Sequence, residues 1–238
     1  MRQMETKSWC VEWFGSEGDF LAGGKRQPIP LAHLSGLENL YAIVALEQRP
    51  GEVSIFDSVP FVSEVWNPTE TIDSNRVYRA EFLVYTIVER WHRASIWKSV
   101  NSEEELEPAL LPRAAVEGIS VDKPFPFLLY GHAARAAGRF FCDPDHQHGR
   151  DLSEKAKSRF SIEKESIEII GFYSMNHRSI LTPRDSSFHM HLRTMDNRIS
   201  GHLESVQWDR DSWRSFRRRN ANKDYLMTKE ESFPGGGI

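Results

Sequence analysis

Residues 188–193 read FHMHLR and residues 199–204 read ISGHLE, and these two stretches decide the fold of their part of the chain. In the first stretch apolar and polar residues alternate, which is typical of a strand with one buried face. Asp196 and Asn197, between the stretches, are residue types that favour a tight turn. The pattern therefore predicts a β-hairpin centred on these two residues.

This hairpin would carry three histidines on one face. In the register that the turn sets, His191 lies directly opposite His202, and His189 lies on the same face two residues away. Side chains directly opposite each other are about 5 Å apart, and diagonal ones roughly 7–8 Å. Three imidazoles with an open fourth position are typical of a catalytic zinc site. The alternative is a solvated strand face, and a register shift of one residue would turn His202 away.

Composition limits the class of protein. The chain has 238 residues, of which 39% are apolar and 27% charged, and this suits one large globular domain or two smaller ones. A net charge of -4 does not favour non-specific binding to nucleic acid. The two cysteines, Cys10 and Cys142, form no Cys-x-x-Cys motif and indicate a reducing compartment. We find neither a signal peptide nor a membrane-spanning run, so a cytoplasmic protein without membrane contact is expected.

Most of the remaining patterns are those of strands. Alternating or β-prone stretches occupy residues 41–46, 52–57, 59–66 and 78–91. Two helices are also expected. Leucines at positions 31, 34, 37 and 40 follow Pro30 at helical spacing, and Ser102 with Glu105 resembles a capping box.

Two further clusters have a simple structural interpretation. Residues 209–225 are rich in arginine, with Trp213 and Phe216 at helical spacing, and we interpret them as a solvated amphipathic helix rather than a nucleic-acid interface. His146 and His148 form a second His-x-His pair among turn-forming residues without a facing third histidine. An exposed loop is favoured there over a second metal site.

The histidine stretch resembles the signature of the acetolactate decarboxylase family. In that signature ten residues separate the second and third histidines, and here residues 192–201 fill this interval, ending in the glycine before His202. The preceding stretch, IIGFY at 169–173, resembles the family's strand into this region. GEVSIFD at 51–57 and the spacing of Arg135 to the downstream glycine and phenylalanine (Gly138 and Phe140) resemble two other family patterns.

The resemblance implies an α+β, β-rich fold. It divides the chain into an N-terminal half with a mixed sheet, residues 1–122, and a smaller antiparallel, barrel-like half, residues 123–225. The zinc site would lie between the two halves, and residues 226–238 would form a disordered tail. Members of the family commonly form dimers, so a homodimer is also expected.

The resemblance further implies a zinc-dependent decarboxylase with a small-molecule substrate. His189, His191 and His202 would hold zinc, Arg135 would bind the substrate carboxylate, and Glu52 would deliver a proton. A 2-hydroxy-3-oxo acid such as 2-acetolactate would then give acetoin and CO2 through an enolate that zinc stabilises.

The chain departs from the family at two places. Ala45 stands where the family has a threonine, and no residue matches the glutamate of the family's C-terminal segment. Two alternatives therefore stay open: a divergent zinc enzyme of the same fold (a hydrolase, isomerase or cyclase in secondary metabolism) and a non-catalytic zinc-binding protein. A cupin is disfavoured because no glutamate follows His191 on the same strand.

Overall fold

Strands dominate the structure, as the alternating patterns predict. This computed structural model describes residues 10–22, 27–47, 51–63, 78–89, 91, 94–95, 100, 102–141, 157–209 and 215–216. In these residues the chain forms two larger antiparallel sheets, a short strand pair and few helices. No helix in the described ranges has the length and apolarity that crossing a membrane requires.

The first sheet is built from the N-terminal half of the chain. Its strands are β1 Glu12–Phe14, β2 Ile29–Pro30, β3 Leu40–Leu46, β4 Glu52–Phe56, β5 Val59–Ser63 and β6 Arg79–Ile87. They lie in the order β1-β6-β3-β4-β5, with β2 also paired to β6, and every described pairing is antiparallel. The predicted mixed sheet is therefore wrong in its strand direction. Short connections explain this, since the β4–β5 turn consists of Asp57 and Ser58, both with positive φ.

The second sheet contains the predicted histidine hairpin. The two-residue strand β7, Ala94–Ser95, precedes this sheet in the chain. The strands of the sheet are β8 Phe125–Phe141, β9 Lys157–Tyr173, β10 Phe188–Thr194 and β11 Ser200–Trp208. All pairings are antiparallel, and the sequence β8-β9-β10-β11 returns to β8. The C-terminal strand β12, Ser215–Phe216, pairs with β7.

The two predicted helices have different outcomes. Ser102 caps helix α2, Glu103–Val116, by accepting a hydrogen bond from the Glu105 backbone N–H at 3.3 Å, which confirms the capping prediction. The helix predicted after Pro30 is wrong, because only a 3-10 turn, Leu31–Leu34, forms before the chain bends into β3. Gly36 and Asn39 adopt positive φ angles that end any helix there.

The structure describes little of the arginine-rich stretch and none of the second histidine pair. Within residues 209–225, only Asp209 and the strand β12 are described, so the helix predicted for this stretch is wrong at Ser215 and Phe216. The other residues of the stretch lie outside the described ranges. His146 and His148 also lie outside them.

The two sheets pack face to face through an apolar layer. The first sheet contributes Tyr41, Ile43 and Phe82, and the second contributes Ile170 and Phe172. Helix α2 covers the opposite face of the second sheet with its buried stripe of Leu106, Leu110 and Ala114. The histidines lie on the inner face, so the packing of the sheets places groups of the first sheet against them.

One glycine allows the close approach of β8 and β11. A Cβ atom at Gly138 would overlap the backbone carbonyl oxygen of His202 and the ring of Phe160. We therefore expect Gly138→Ala to lower the free energy of unfolding by about 3 kcal/mol, the upper end of typical overpacking costs, because a backbone atom cannot turn aside.

Chemical denaturation of the two proteins measures this effect. Gly36→Ala is the matched control, since nothing lies within 4 Å of a Cβ there and only the positive φ is strained. That strain costs about 1–2 kcal/mol. Equal losses in the two variants would contradict the steric explanation.

Candidate metal centre

The hairpin of β10 and β11 has the predicted register. His191 pairs with His202, and the Thr194 backbone N–H donates to the Ile199 carbonyl oxygen at 2.9 Å to close the hairpin. Asn197 adopts a φ of 61° in the turn, as its residue type favours. Local sequence thus brings two of the three histidines opposite each other, and the strand alternation places the third beside them.

The three histidines form a compact, buried group. Their ring centroids are separated by 5.4 Å (His189 and His191), 5.2 Å (His189 and His202) and 5.4 Å (His191 and His202). One nitrogen from each ring lies within 4.8 Å of the other two. The side chains are buried, with residue exposures of 3%, 0% and 6% in chain order. Imidazole rings do not usually gather away from water without a shared ligand.

Hydrogen bonds at the Nδ1 atoms orient two of the three rings. The Nδ1 atom of His189 lies 3.0 Å from the carbonyl oxygen of Leu181, which only accepts, so this nitrogen carries the proton and Nε2 keeps its lone pair. The Nδ1 atom of His191 lies 2.8 Å from the hydroxyl oxygen of Ser54 on β4. Such contacts at the far nitrogen are typical of metal-binding histidines.

The electrostatics keep the His189 and His191 rings neutral. Burial lowers the pKa of His189 to about 4. The hydrogen bond that His189 donates to the Leu181 carbonyl oxygen raises this pKa by less, and the charge of Arg139 lowers it further. Burial, then the neighbouring His189 and Arg139, hold the pKa of His191 well below its ordinary range. Neutral imidazole is the form that coordinates a metal ion.

The donor set therefore fits a divalent metal ion. The Nε2 atom of His191 is buried and has no hydrogen-bond partner among the described residues, although an unsatisfied buried polar atom costs about 1–3 kcal/mol. A metal ion would satisfy it. Three imidazole nitrogen ligands match zinc, with a fourth position left for water or substrate.

Glu52 reaches this group from the first sheet. It opens β4, it is 5% exposed, and its Oε2 atom lies 4.0 Å from His191 Nε2. Ser54, two residues further along, faces the same way and contacts the same histidine. Phe82 on β6 stacks on the His189 ring with centroids 5.6 Å apart. The first sheet thus supplies a carboxylate, a hydroxyl and an apolar wall to the histidines.

The structure does not bring Arg135 to the histidines. Its side chain is 63% exposed, and it forms a surface ion pair with Glu163 at 2.7 Å. The arginine of β8 that does lie beside the cluster is Arg139, which pairs directly with His202 across the β8–β11 ladder. Directly paired residues point to the same face of a sheet, so Arg139, His202 and His191 form a row across three strands. The Arg139 side chain is only 15% exposed and contacts Glu204 at 3.1 Å.

A cavity of about 630 Å³ adjoins this row. Arg139 and His202 lie in its wall, together with Glu17 from the short helix α1, Glu17–Leu21. The wall also includes charged residues of α2 and of the connection into β10, and apolar side chains of the second sheet such as Leu129 and Met190. Of the three histidines, His202 lines this space, which has both polar and apolar walls.

Sequence reasoning missed three residues of this site. Ser54 had a local signal, because it lies two positions after Glu52 on the same strand and must share its face. Arg139 required the pairing of β8 with β11, which joins residues 63 apart in the chain. Glu17 had no sequence signal, since its position depends on contacts between α1 and the connection into β10.

The fold is shared with solved structures of acetolactate decarboxylases. No protein-family profile and no curated protein sequence matches the chain. The acetolactate decarboxylase of Bacillus subtilis strain 168 is 13% identical with a TM-score of 0.64, and the match covers 87% of this chain and 84% of that one. The enzyme of Bacillus subtilis subspecies spizizenii is 13% identical with a TM-score of 0.65, and the match covers 92% of this chain and 91% of that one.

A protein from Staphylococcus aureus has the same fold. It is described as a protein of unknown function similar to alpha-acetolactate decarboxylase. Its identity is 15% and its TM-score is 0.64, and the match covers 87% of this chain and 84% of that one. At these identities the likeness establishes the fold.

Proposed function

We propose that this protein is a zinc-dependent decarboxylase that converts a 2-hydroxy-3-oxo acid, such as 2-acetolactate, to acetoin and CO2. The observation that carries the proposal is the convergence of three buried histidines beside the carboxylate of Glu52. The fold shared with acetolactate decarboxylases supports the choice of reaction. His189, His191 and His202 would hold the metal ion.

Zinc, when bound, would supply Lewis acidity towards the hydroxyl and carbonyl oxygens of the substrate. Loss of CO2 from such an acid leaves negative charge on carbon and oxygen, and a positioned acid must then protonate the carbon. Glu52 is the proton carrier in this proposal, because it is buried and lies next to the histidines. The apolar wall at Phe82 keeps water from the reacting carbon.

Arg139 takes the role that the resemblance implied for Arg135. A guanidinium group offers two parallel N–H donors to a carboxylate, so it can orient the group that leaves as CO2. Arg139 lies on the face of the histidines and in the wall of the cavity, whereas Arg135 is exposed and paired with Glu163. The proposal therefore rests on Arg139.

Metal analysis and an acetoin-forming assay test this function. The purified full-length protein, reconstituted with zinc and freed of excess metal, is incubated with 2-acetolactate, and acetoin and CO2 are quantified. We expect one equivalent of zinc per chain and turnover that a chelator abolishes and added zinc restores. One equivalent of zinc, without acetoin from 2-acetolactate and without CO2 from 2-hydroxy-3-oxo acids with longer side chains, would overturn the decarboxylase and leave another zinc chemistry in this fold.

Paired arginine variants test the assignment of the carboxylate-binding group. We expect Arg139→Ala to lower kcat/KM by about 10²–10³-fold, because it removes a charged partner of the substrate from a partly buried site. Glu204 keeps an ion pair with Arg159 at 3.5 Å, so the variant does not strand its carboxylate. Arg135→Ala is the control and should stay within about twofold of the wild type. The reverse order of effects would restore Arg135 to the site.

The cavity also has room for a substrate larger than acetolactate. Its volume of about 630 Å³ lies in the range of pockets for drug-sized ligands, and its apolar wall suits an alkyl or aryl substituent. The assay should therefore include 2-hydroxy-3-oxo acids with longer side chains. A higher kcat/KM for these acids than for 2-acetolactate would show that this protein prefers substrates with longer side chains.

A further inference from the structure

Glu17 is a buried carboxyl group that the proposed reaction does not use. It is the first residue of α1, and its backbone N–H donates to the carbonyl oxygen of Ile180 at 3.1 Å. The next residue, Gly18, donates to Ser179 at 2.9 Å, so the start of the helix is fixed to the connection into β10. Glu17 is 5% exposed, and its Oε2 atom has no hydrogen-bond partner among the described residues. Such a group usually has a ligand or a functional reason.

The side chain of Glu17 borders the space in front of the histidine site. It shares the wall of the 630 Å³ cavity with Arg139 and His202. Arg139 lies close enough for its charge to act on the Glu17 carboxyl. A ligand bound beside Arg139 would therefore lie next to the Glu17 side chain.

The surroundings of Glu17 favour its neutral form. Burial raises the pKa of Glu17 to about 7, the charge of Arg139 lowers it in part, and Asp185 raises it. The other charged side chains in the cavity wall come from α2, from the connection into β10 and from β11, and they are Glu103, Glu104, Arg184 and Glu204. The surplus of carboxylates would repel an anionic substrate unless one of them carried a proton.

We propose that Glu17 is a further substrate-contacting residue of this site, which in its neutral form donates a hydrogen bond to the carboxylate of a bound 2-hydroxy acid beside Arg139. The identity of the ligand rests on the proposed function, since that function defines the substrate as an acid. A neutral carboxyl group has an O–H that can donate, which the ionised form lacks. It also removes one of the repelling charges. The Arg139 guanidinium holds the other side of the same carboxylate.

Binding is then linked to a proton. At a pH above 7 the ionised Glu17 takes one proton from solvent when the anion binds, and it returns this proton when the anion leaves. Charge and atoms balance, because the complex gains one anion and one proton. Affinity should therefore fall about tenfold for each pH unit above the pKa of Glu17.

Isothermal titration calorimetry of the zinc-loaded full-length protein measures the proton directly. The probe is 2-hydroxy-2-methylpropanoate, which has the hydroxyl and carboxylate of the substrate but no 3-oxo group and cannot react. Titrations at one pH near 8, in buffers with different ionisation enthalpies, give the number of protons taken up. We expect wild-type uptake that approaches one proton. Uptake near zero, or no binding of the probe, would overturn the proposal without any variant.

Two matched variants identify the carboxyl group that takes up the proton. Glu17→Gln keeps the shape and the donor, so it should bind the probe without proton uptake and with an affinity that no longer depends on pH between 7 and 8.5. Glu103→Gln alters the other carboxyl in this wall whose pKa burial raises, and it should keep the uptake of the wild type. Loss of uptake in Glu103→Gln alone would overturn the assignment to Glu17.

Thermal unfolding gives a second readout that does not involve the probe. The pKa of Glu17 is higher in the folded state than in the unfolded state, so the folded protein binds more protons between pH 4.5 and 7. Stability that Glu17 contributes below pH 4.5 is lost as the pH rises through 7. Glu17→Gln should therefore unfold at a higher temperature than the wild type at pH 8, and this advantage should vanish near pH 4.5. An advantage that does not change with pH would contradict the burial of an ionisable Glu17.

The two proposals can fail separately. If the protein forms no acetoin but takes up a proton with the probe in a Glu17-dependent way, the decarboxylase fails and the role of Glu17 stands. If acetoin forms but Glu17→Gln leaves proton uptake unchanged, the role of Glu17 fails and the decarboxylase stands.

Discussion

Replacing His191 with alanine is expected to remove the bound metal and, with it, all measurable acetoin formation. His191 is fully buried between His189 and His202, so its loss leaves two ligands and an apolar gap. Loss of contacts behind a ligand lowers metal affinity by about 10–100-fold, and loss of the ligand itself should exceed that. We expect the zinc content to fall from one equivalent to below about a tenth, and turnover to fall by at least about 10³-fold.

Metal analysis after gel filtration, with thermal unfolding at several zinc concentrations, checks this expectation. Zinc should raise the unfolding temperature of the wild type and leave that of His191→Ala unchanged, because only a metal that binds the folded state stabilises it. His132→Ala is the control. His132 is partly exposed and contacts Asp209 at 2.7 Å, away from the cluster, and this variant should keep its zinc.

A milder variant separates the ligand from its support. Ser54→Ala removes the hydroxyl that lies 2.8 Å from His191 Nδ1 and keeps all three imidazoles. It should keep a metal site that is weakened by about 10–100-fold. If His191→Ala retained one equivalent of zinc, the three histidines would not be the metal ligands.

The histidine hairpin could be predicted because everything that determines it is local. Alternation fixes which residues share a face, and Asp196 with Asn197 fixes the turn and hence the register of His191 opposite His202. The two-residue turn after β4 and the Ser102 cap were predictable for the same reason. Such features depend on neighbours a few residues away, where the sequence is directly informative.

The remainder of the site depends on contacts between distant segments. Glu52 has no local mark of function, and only the resemblance singled it out, while the packing of β4 against β10 places it beside His191. The family spacing indicates Arg135 rather than Arg139, because spacing alone cannot show which part of a 17-residue strand faces the partner sheet. The bulges between Leu203 and Ser205 and between Gln207 and Trp208 shift the pairing of β11 with β8 in a way that no alternation pattern reveals.

The position of Ala45 is also something that the sequence alone does not reveal. The sequence marked it only as a departure from the family pattern. The structure places it directly opposite Glu52 in the β3–β4 pairing, where it is buried. A methyl group at this position cannot hold the carboxylate by a hydrogen bond. The chemistry of this chain must therefore be tested at Glu52 itself.

Glu52→Gln is expected to lower kcat for acetoin formation by about 10²–10⁴-fold while the zinc content stays at one equivalent. Glutamine has nearly the same shape and volume as glutamic acid, so the packing between the sheets is kept. It cannot release a proton to carbon under these conditions. The loss should therefore appear in kcat, with a smaller change in KM, because the missing step follows substrate binding.

The stereochemistry of the product gives a readout that a packing defect would not change. In deuterium oxide the wild type should place deuterium on one face of the new carbinol carbon and give a single enantiomer of acetoin. If Glu52 delivers the proton, the residual product of Glu52→Gln should be racemic, because water then protonates the released enolate from either face. Residual product that is still a single enantiomer would show that another group delivers the proton.

A neighbouring carboxylate provides the control for this substitution. Glu47 lies at the same end of the first sheet and pairs with Arg79 at 3.1 Å rather than with a histidine. Glu47→Gln should retain kcat within about twofold, since a surface ion pair contributes little. If the two variants lost activity equally, the effect at Glu52 would reflect the stability of the sheet end. If only Glu52→Gln lost activity and zinc was retained, the carboxyl group beside His191 would be the acid of the reaction. The site would then require both sheets, because the first sheet supplies this acid and the second supplies the histidines.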